Sequence, residues 1–214
     1  MARVKICGLT GGADLRAAID AGADAVGVIT DVPIETPREV DRAVAAELLA
    51  DVPPFVTTTL VTMPDSPEDA VELVRTIEPD ALQLHGEWTT DEIGFIRAEA
   101  GVKVLLTVDA DNHGYAEELD AAVDAIVVDS TRESGAGGTG ETHDWAATGR
   151  LAGRLTSPVV LAGGLTAENV AEAVRVADPF AVDVASGVEL SGGRKDHNAV
   201  ARFVANAGRE MEVV

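Results

Sequence analysis

The chain has 214 residues and is 46% hydrophobic, so we expect a single domain with a substantial core over residues 1–214. Its formal net charge of −21 is spread along the chain, which is typical of proteins from a high-salt cytoplasm and disfavours nucleic acid and anionic membranes as partners. No run of about 18 apolar residues predicts a membrane helix. One cysteine excludes a disulfide framework within the chain and, in a reducing compartment, fits a cytoplasmic protein.

Eight short apolar runs alternate with eight helix-like segments along the chain. The runs predict strands at Val4–Cys7, Ala25–Ile29, Phe55–Val61, Ala81–Leu84, Val102–Val108, Ala125–Val128, Pro158–Leu161 and Ala181–Val184. The helices are predicted at Asp14–Ala21, Pro37–Ala50, Pro67–Ile77, Thr90–Ala100, Tyr115–Ala121, Asp144–Leu151, Ala167–Ala177 and His197–Ala207. This alternation predicts an α/β fold, a single closed (β/α)8 TIM barrel.

An open doubly wound sheet is the alternative fold. Such a sheet usually has fewer strands and an early glycine-rich nucleotide loop, and Gly8–Gly12 does not spell G-x-G-x-x-G. Local signals support several helix ends. Thr36-Pro37 and Ser66-Pro67 predict helix starts, whereas Gly22 and Gly101 lie where helix C-caps belong.

The first strand carries the only thiol. Alternation places Arg3, Lys5 and Cys7 on one side of the strand, and Gly8 ends it. Cys7 is therefore either a small buried hydrophobe or a working group. In a (β/α)8 barrel the chemistry collects at the C-terminal ends of the strands, which is where Cys7 lies.

The sixth strand ends in a carboxyl group, Asp129. Four apolar residues precede it, and partial burial there would raise its pKa and suit a general acid; the alternative is that it pins the following loop. That glycine-rich loop, Thr131–His143, is interpreted as a mobile lid or as a plain surface loop. His85 shares a strand side with Gln83 and either points into the site or is satisfied by a neighbouring backbone group.

The loops after strands seven and eight are rich in small residues. Gly163-Gly164 and Ser186-Gly187 let backbone N–H groups approach a ligand, and a phosphate at this place is the common barrel solution. The alternative is that these glycines only form tight turns. No histidine pair has metal-binding spacing, so we expect no metal site.

Taken together in this order, the motifs resemble those of the phosphoribosylanthranilate isomerase family of tryptophan biosynthesis, essentially from end to end. The motifs are Lys5–Thr10, Gly22–Gly27, Gln83–Gly86, Gly137–Gly140 with Asp144-Trp145, Ala162–Leu165 with Glu168–Val170, and Pro179–Val184 running to Ser186–Glu189 and Lys195-Asp196.

The resemblance implies a cofactor-free, monomeric or homodimeric barrel with a small phosphorylated substrate. It also implies an Amadori rearrangement of N-(5'-phosphoribosyl)anthranilate to 1-(2-carboxyphenylamino)-1-deoxyribulose 5-phosphate. Cys7 would be the general base and Asp129 the general acid, and His85 and Asp183 would line the substrate. The phosphate would lie on the loops of Gly163, Gly164, Ser186 and Gly187.

One departure from the family concerns the loop after strand two, which usually carries an arginine for the anthranilate carboxylate. Pro33 occupies the matching place, and Arg38 lies about five residues further on, near the predicted helix start. Either Arg38 reaches back to this carboxylate, or another cation binds it, or the substrate is held differently. Lys5, on the same strand side as Cys7, is expected to lower the pKa of the thiol and to keep the barrel mouth neutral or positive. Two alternatives stay open: an inactive barrel that binds a phosphorylated sugar, and a related phosphoribosyl Amadori isomerase, against which Cys7 argues.

Overall fold

A closed barrel of eight parallel strands forms the centre of the computed structural model, which describes residues 2–130 and 143–208. Each strand pairs with the next along the chain, and β8 returns to pair with β1, with Lys5 opposite Asp183. The strands are β1 (Arg3–Ile6), β2 (Ala25–Ile29), β3 (Thr57–Thr62), β4 (Ala81–Leu84), β5 (Lys103–Asp109), β6 (Ala125–Asp129), β7 (Val159–Leu161) and β8 (Ala181–Val184). The predicted (β/α)8 barrel is confirmed.

In the part of the chain that the structure describes, eight α-helices connect the strands and follow the last one. They are α1 (Gly12–Asp20), α2 (Arg42–Ala50), α3 (Pro67–Ile77), α4 (Thr90–Ala100), α5 (His113–Leu119), α6 (Trp145–Ala152), α7 (Val170–Ala177) and α8 (His197–Ala207). Val4 and Ile6 point from β1 into the core that also contains Phe203 of α8, whereas Lys5 lies among the interior residues of the barrel. The predicted alternation along the first strand is therefore confirmed for Lys5.

Two of the predicted helix-end signals work as expected. The Ser66 hydroxyl accepts a hydrogen bond from the backbone N–H of Asp69, and Pro67 is the first residue of α3. Gly101 ends α4 in the left-handed conformation, at φ 66°. Both signals act locally, which is why the sequence alone identifies them.

The predicted start of α2 at Pro37 is wrong, because the helix begins at Arg42. Glu39 forms a parallel bridge with Ile29, and the N–H of Val40 donates to the carbonyl of Ile29. This pairing keeps the backbone at Glu39 and Val40 extended beside the end of β2. It holds Arg38 in a loop at the C-terminal end of the barrel.

Other strand and helix boundaries also differ from the predicted ones. β3 begins at Thr57, and Phe55 is fully exposed before it. α7 begins only at Val170, since the Asn169 side chain ties down the preceding turn. A two-stranded hairpin, β9 (Glu189–Ser191) and β10 (Arg194–Lys195), was not predicted.

Two further expectations concern the loop after β6 and the membrane. Residues 131–142 of the predicted lid lie outside the described residues. Within the described parts of the chain, every helix is too short or too polar to cross a bilayer.

Candidate active site

A cavity of about 540 Å³ opens at the C-terminal ends of the barrel strands. It brings together nine of the ten residues that the sequence singled out. These are Cys7, Arg38, His85, Asp129, Gly163, Gly164, Asp183, Ser186 and Gly187. The tenth, Lys5, lies beneath the cavity and does not line it.

Cys7 directly follows β1, and its N–H donates to the carbonyl of Val184 on β8 over 2.8 Å. The residue is only 6% exposed. Gly27 on β2 leaves the space that the thiol needs, since a Cβ there would lie 2.9 Å from Cys7 Sγ and 3.2 Å from Lys5 Nζ. Cys7 and Lys5 therefore pack side by side against a glycine.

Burial raises the pKa of the Cys7 thiol, and the nearby Lys5 ammonium opposes this effect without overcoming it. The Asp183 carboxylate adds to the upward shift. The Lys5 charge thus acts to lower the pKa of the thiol, as expected. The expectation is wrong for the net pKa of Cys7, which is raised because burial has the larger effect. Without a ligand, Cys7 is therefore a thiol at neutral pH.

Lys5 and Asp183 form a buried ion pair of 2.9 Å between Nζ and Oδ2, with side chains 5% and 8% exposed. Burial acts to lower the pKa of Lys5, but the carboxylate of Asp183 and the neighbouring Cys7 outweigh it and raise the pKa above its usual value. Lys5 therefore stays charged and paired. Since the ammonium lies inside the barrel and is paired with Asp183, the expectation that Lys5 keeps the barrel mouth neutral or positive stays a prediction.

Asp129 ends β6 at the cavity wall. Burial, followed by the negative charge of Asp183, raises the pKa of the Asp129 carboxyl from 3.8 to about 6. Gly163, on the loop after β7, permits this position: it adopts φ +80°, and a Cβ there would lie 2.7 Å from Asp129 Oδ1. A carboxyl with this pKa is partly protonated near neutral pH, which suits proton donation.

His85 follows β4 and lines the same cavity. Burial and then the Lys5 charge lower its pKa from 6.5 to about 4, so the imidazole is neutral at physiological pH. The carbonyl of His85 accepts a hydrogen bond of 3.0 Å from the indole of Trp88. His85 is therefore available as a neutral hydrogen-bonding group and not as a cation.

The loops after β7 and β8 pack directly on each other. Gly163 and Gly164 adopt φ values of +80° and +64°, which glycine accepts without strain. Gly187 lies in a short 3-10 helix, Ser186–Val188, and its backbone touches the carbonyl of Leu165 so closely that any side chain would overlap it. Glycine at these positions lets the backbone of both loops form one wall of the cavity.

Arg38 is positioned by a group of charges that the sequence did not reveal. Its Nε and Nη2 donate to the two oxygens of Glu189 over 2.9 and 2.8 Å, and Lys195 Nζ donates to the same carboxylate over 2.8 Å. The stem of Arg38 lies over Gly8, where a Cβ would be 2.8 Å from Arg38 Cδ. Two cations share one carboxylate, so this charge group carries a net positive charge beside the cavity.

Glu189, the partner of Arg38, is 151 residues away along the chain, which explains why spacing gave no signal for the pair. Burial acts to raise the pKa of Glu189, but its hydrogen bonds to Arg38 and Lys195 outweigh this and lower it. Lys195 is completely buried and also donates to the carbonyl of Ala185, just before the loop of Ser186. The charge group thus connects the β2–α2 loop with the loop after β8.

Part of the cavity wall is apolar. Its members come from β2, β3 and the loops that follow them: Ile29, Val32, Ile34, Val61 and Met63. A flat hydrophobic ring fits such a wall. Among the described residues, no group of three or more His, Cys, Asp or Glu side chains is placed to hold a metal ion.

Comparisons with known proteins point to one family. Residues 4–206 match the family model described as N-(5'phosphoribosyl)anthranilate (PRA) isomerase. A curated N-(5'-phosphoribosyl)anthranilate isomerase of Halorubrum lacusprofundi is 80% identical over 213 residues, covering 100% of both chains.

Solved structures are also similar over nearly the whole chain. The phosphoribosyl anthranilate isomerase from Thermotoga maritima is 35% identical, with a TM-score of 0.85 over 97% of this chain and 98% of that one. A phosphoribosyl anthranilate isomerase in complex with reduced 1-(o-carboxyphenylamino)-1-deoxyribulose 5-phosphate is 33% identical, with a TM-score of 0.82 and the same coverage. On this evidence the chain belongs to the N-(5'-phosphoribosyl)anthranilate isomerase family, whose members catalyse an Amadori rearrangement in tryptophan biosynthesis.

Proposed function

We propose that this chain converts N-(5'-phosphoribosyl)anthranilate to 1-(2-carboxyphenylamino)-1-deoxyribulose 5-phosphate with Asp129 as general acid and Cys7 as general base. The observation that carries the assignment is that one cavity holds a carboxyl of raised pKa and a thiol, beside glycine loops on β7 and β8. Proton transfer to one atom and from another is what this isomerisation requires.

The first step opens the ribose ring. Asp129 gives its proton to the ring oxygen, the bond between that oxygen and C1' breaks, and the nitrogen lone pair forms a protonated imine with C1'. The pKa of about 6 leaves roughly a tenth of the Asp129 carboxyls protonated at pH 7. Proton donation at this point is therefore supplied by a group that is only weakly acidic.

The second step moves the double bond. The resting Cys7 thiol first loses its proton to solvent. The resulting thiolate takes the proton from C2', and the electron pair of that C–H bond neutralises the imine to give an enolamine. The enol hydroxyl then loses its proton and C1' gains one, which yields the ketone. The Cys7 thiolate has gained a proton and Asp129 has lost one. Exchange with solvent then removes the proton from Cys7 and returns one to Asp129 before the next turnover.

The cavity walls suit the three parts of the substrate. The backbone of the Gly163-Gly164 and Ser186-Gly187 loops receives the phosphate, and the apolar wall packs against the anthranilate ring. Arg38, whose Nη1 has no hydrogen bond to a described residue, receives the anthranilate carboxylate. Arg38 would thereby replace the arginine for which this chain has Pro33.

Turnover is tested by the loss of anthranilate fluorescence when purified protein meets freshly prepared substrate. Cys7→Ala and Asp129→Asn should each reduce kcat by about 10²–10⁴-fold, because each removes a proton-transfer group. Affinity for the reduced product should change little in either variant, since the phosphate and ring contacts remain.

Each result has a definite meaning. If a variant keeps more than about a tenth of the activity, the role assigned to the substituted residue is wrong. Tight binding of inorganic phosphate without any turnover by the unmodified chain would instead establish a barrel that only binds a phosphorylated sugar.

The partners and location of this chain follow from the same proposal. We propose a small phosphorylated substrate, no cofactor, no nucleic acid and no membrane, with a cytoplasmic location that suits a net charge of −21. We expect either a monomer or a homodimer, and light scattering coupled to size-exclusion chromatography would distinguish the two.

A further inference from the structure

A buried carboxylate, Glu189, holds Arg38 at the side of the cavity. Arg38 lines the cavity, whereas the side chain of Glu189 is 4% exposed and does not line it. Nε and Nη2 of Arg38 donate to the two oxygens of Glu189 over 2.9 and 2.8 Å, which is the bidentate geometry that fits a guanidinium to a carboxylate. This pair fixes the plane of the guanidinium and leaves Nη1 without a hydrogen bond to a described residue.

Glu189 is itself held in the hairpin of β9 and β10. Lys195 lies opposite Glu189 in this hairpin and donates to its Oε1 over 2.8 Å from a fully buried side chain. The turn of the hairpin packs on the loop that carries Arg38, since a side chain at Gly193 would overlap the carbonyl of Pro37. The carboxylate therefore has a fixed position relative to the β2–α2 loop.

An arginine without such a partner binds an anion less well. Its side chain has many rotamers, and binding then costs the entropy of holding it in one of them. The stem of Arg38 lies over Gly8, but its guanidinium is held by Glu189. The ion pair thus orients the charged end of Arg38 before a ligand arrives.

We propose that Glu189 is a positioning residue, which holds Arg38 in the orientation that binds the carboxylate of the anthranilate ring. Glu189 would thereby favour ligands whose ring carries this carboxylate over ligands whose ring lacks it. This inference rests on the proposed function, because it assumes that Arg38 receives the carboxylate.

Charge and position make opposite predictions for Glu189→Gln. The substitution removes a negative charge beside the cavity, so electrostatics alone would strengthen the binding of an anionic ligand. The amide has a single oxygen acceptor, and its NH2 group only donates, so it cannot form the bidentate pair with Arg38. A positioning role therefore predicts weaker binding of the carboxylate.

The test compares two ligands by calorimetry. One is the reduced product, which carries the anthranilate carboxylate; the other is the same pentitol 5-phosphate on aniline, which lacks only that carboxylate. Glu189→Gln should weaken binding of the carboxylated ligand by about tenfold and change binding of the aniline ligand by less than about twofold. In steady-state kinetics, KM should rise by a similar factor while kcat changes by less than about twofold, because Cys7 and Asp129 are untouched.

A double-variant cycle measures whether Glu189 acts through Arg38. Arg38→Ala alone should weaken binding of the carboxylated ligand and spare the aniline ligand. In the Arg38→Ala background, Glu189→Gln should have less than about a twofold further effect, because the side chain that it positions is absent.

Asp124→Asn is the matched control. Asp124 is also shared by two cations, Arg97 at 3.2 Å and Lys103 at 3.0 Å, and Lys103 begins β5 at the opposite end of the barrel. This variant loses the same charge and should leave the ratio of the two affinities unchanged. If Glu189→Gln does not fold, the double variant Glu189→Met/Lys195→Met, which replaces the buried ion pair with apolar side chains and keeps the net charge, should show the same selective loss.

Equal losses for both ligands, gains for both, or no change in either would overturn the proposal. An effect of Glu189→Gln that persists in full in the Arg38→Ala background would overturn it as well. Failure of the proposed function is measured separately. Arg38→Ala without a selective loss would refute the carboxylate role of Arg38 and with it that of Glu189, and absence of turnover by the unmodified chain would refute the assigned reaction.

Discussion

The raised pKa of Asp129 implies that the ionised form of this carboxyl destabilises the folded state. In the folded chain its pKa is about 6, whereas the ordinary value is 3.8. A carboxyl whose pKa rises on folding stabilises the folded state below pH 3.8 relative to higher pH, and this contribution is lost as the pH rises through about 6. Replacing Asp129 with Asn should therefore stabilise the protein at pH 8 while it abolishes proton donation.

The magnitude follows from the shift. About two pKa units correspond to about 3 kcal/mol of unfavourable free energy for the ionised form in the folded state. Asn also loses part of the hydrogen bond that the Ser130 N–H makes to the carboxylate, at about 1 kcal/mol. The net gain at pH 8 is about 1–3 kcal/mol, or about 3–10 °C in Tm for a chain of this size.

Thermal melts of the unmodified chain and Asp129→Asn at pH 8, 6 and 4 measure this effect. The Tm difference should be largest at pH 8 and shrink through the window from about 6 to 3.8, as the carboxyl becomes protonated in the folded state. Asp120→Asn is the matched control. Burial acts to raise the pKa of Asp120, but hydrogen bonds from Thr156 and Ser157 outweigh it and lower the pKa.

The same substitution at Asp120 should thus have the opposite sign, with a loss of stability at pH 8. A Tm for Asp129→Asn that is unchanged or reduced at pH 8 would refute the argument. An equal gain in Tm at pH 8 and pH 4 would also refute it, because a Tm difference that does not depend on pH cannot come from the charge of Asp129.

Two further predictions concern Arg38 and the net charge. Arg38→Ala should raise KM for the substrate while inhibition by inorganic phosphate hardly changes, because phosphate carries no anthranilate carboxylate; steady-state kinetics with and without phosphate measure both, and equal losses would place Arg38 in a structural role or at the phosphate. The charge of −21 predicts that Tm rises between about 0.1 and 2 M potassium chloride, with activity surviving at the upper end, because salt screens repulsion between carboxylates. A flat or falling Tm in this series would show that the carboxylates are already locally compensated.

The sequence predicts this fold well because its signals are local and repeated. Eight apolar runs and their helices determine the barrel, and the barrel in turn places Cys7, His85 and Asp129 at strand ends that meet in one cavity. The wrong start of α2 shows the limit of a local signal. Thr36-Pro37 has the pattern of a helix cap, but pairing beside Ile29 at the end of β2 prevails.

The electrostatics of the site depend on contacts that spacing does not reveal. Lys5 and Asp183 are 178 residues apart along the chain and meet only because β8 closes the barrel against β1. The net pKa of Cys7 depends on the balance between burial, which raises it, and the nearby ammonium, which lowers it. Sequence alternation places Lys5 beside the thiol but gives no measure of how deeply both are buried.

The placement of the lysines bears on how a chain with an acidic surface binds an anionic substrate. The chain has only three, Lys5, Lys103 and Lys195, and two of them are buried next to the cavity in ion pairs with Asp183 and Glu189. Buried charges are screened far less by salt than exposed ones. The Lys195–Glu189 pair, together with Arg38, should therefore keep the cavity able to bind a phosphate and a carboxylate at the salt concentrations that screen the surface.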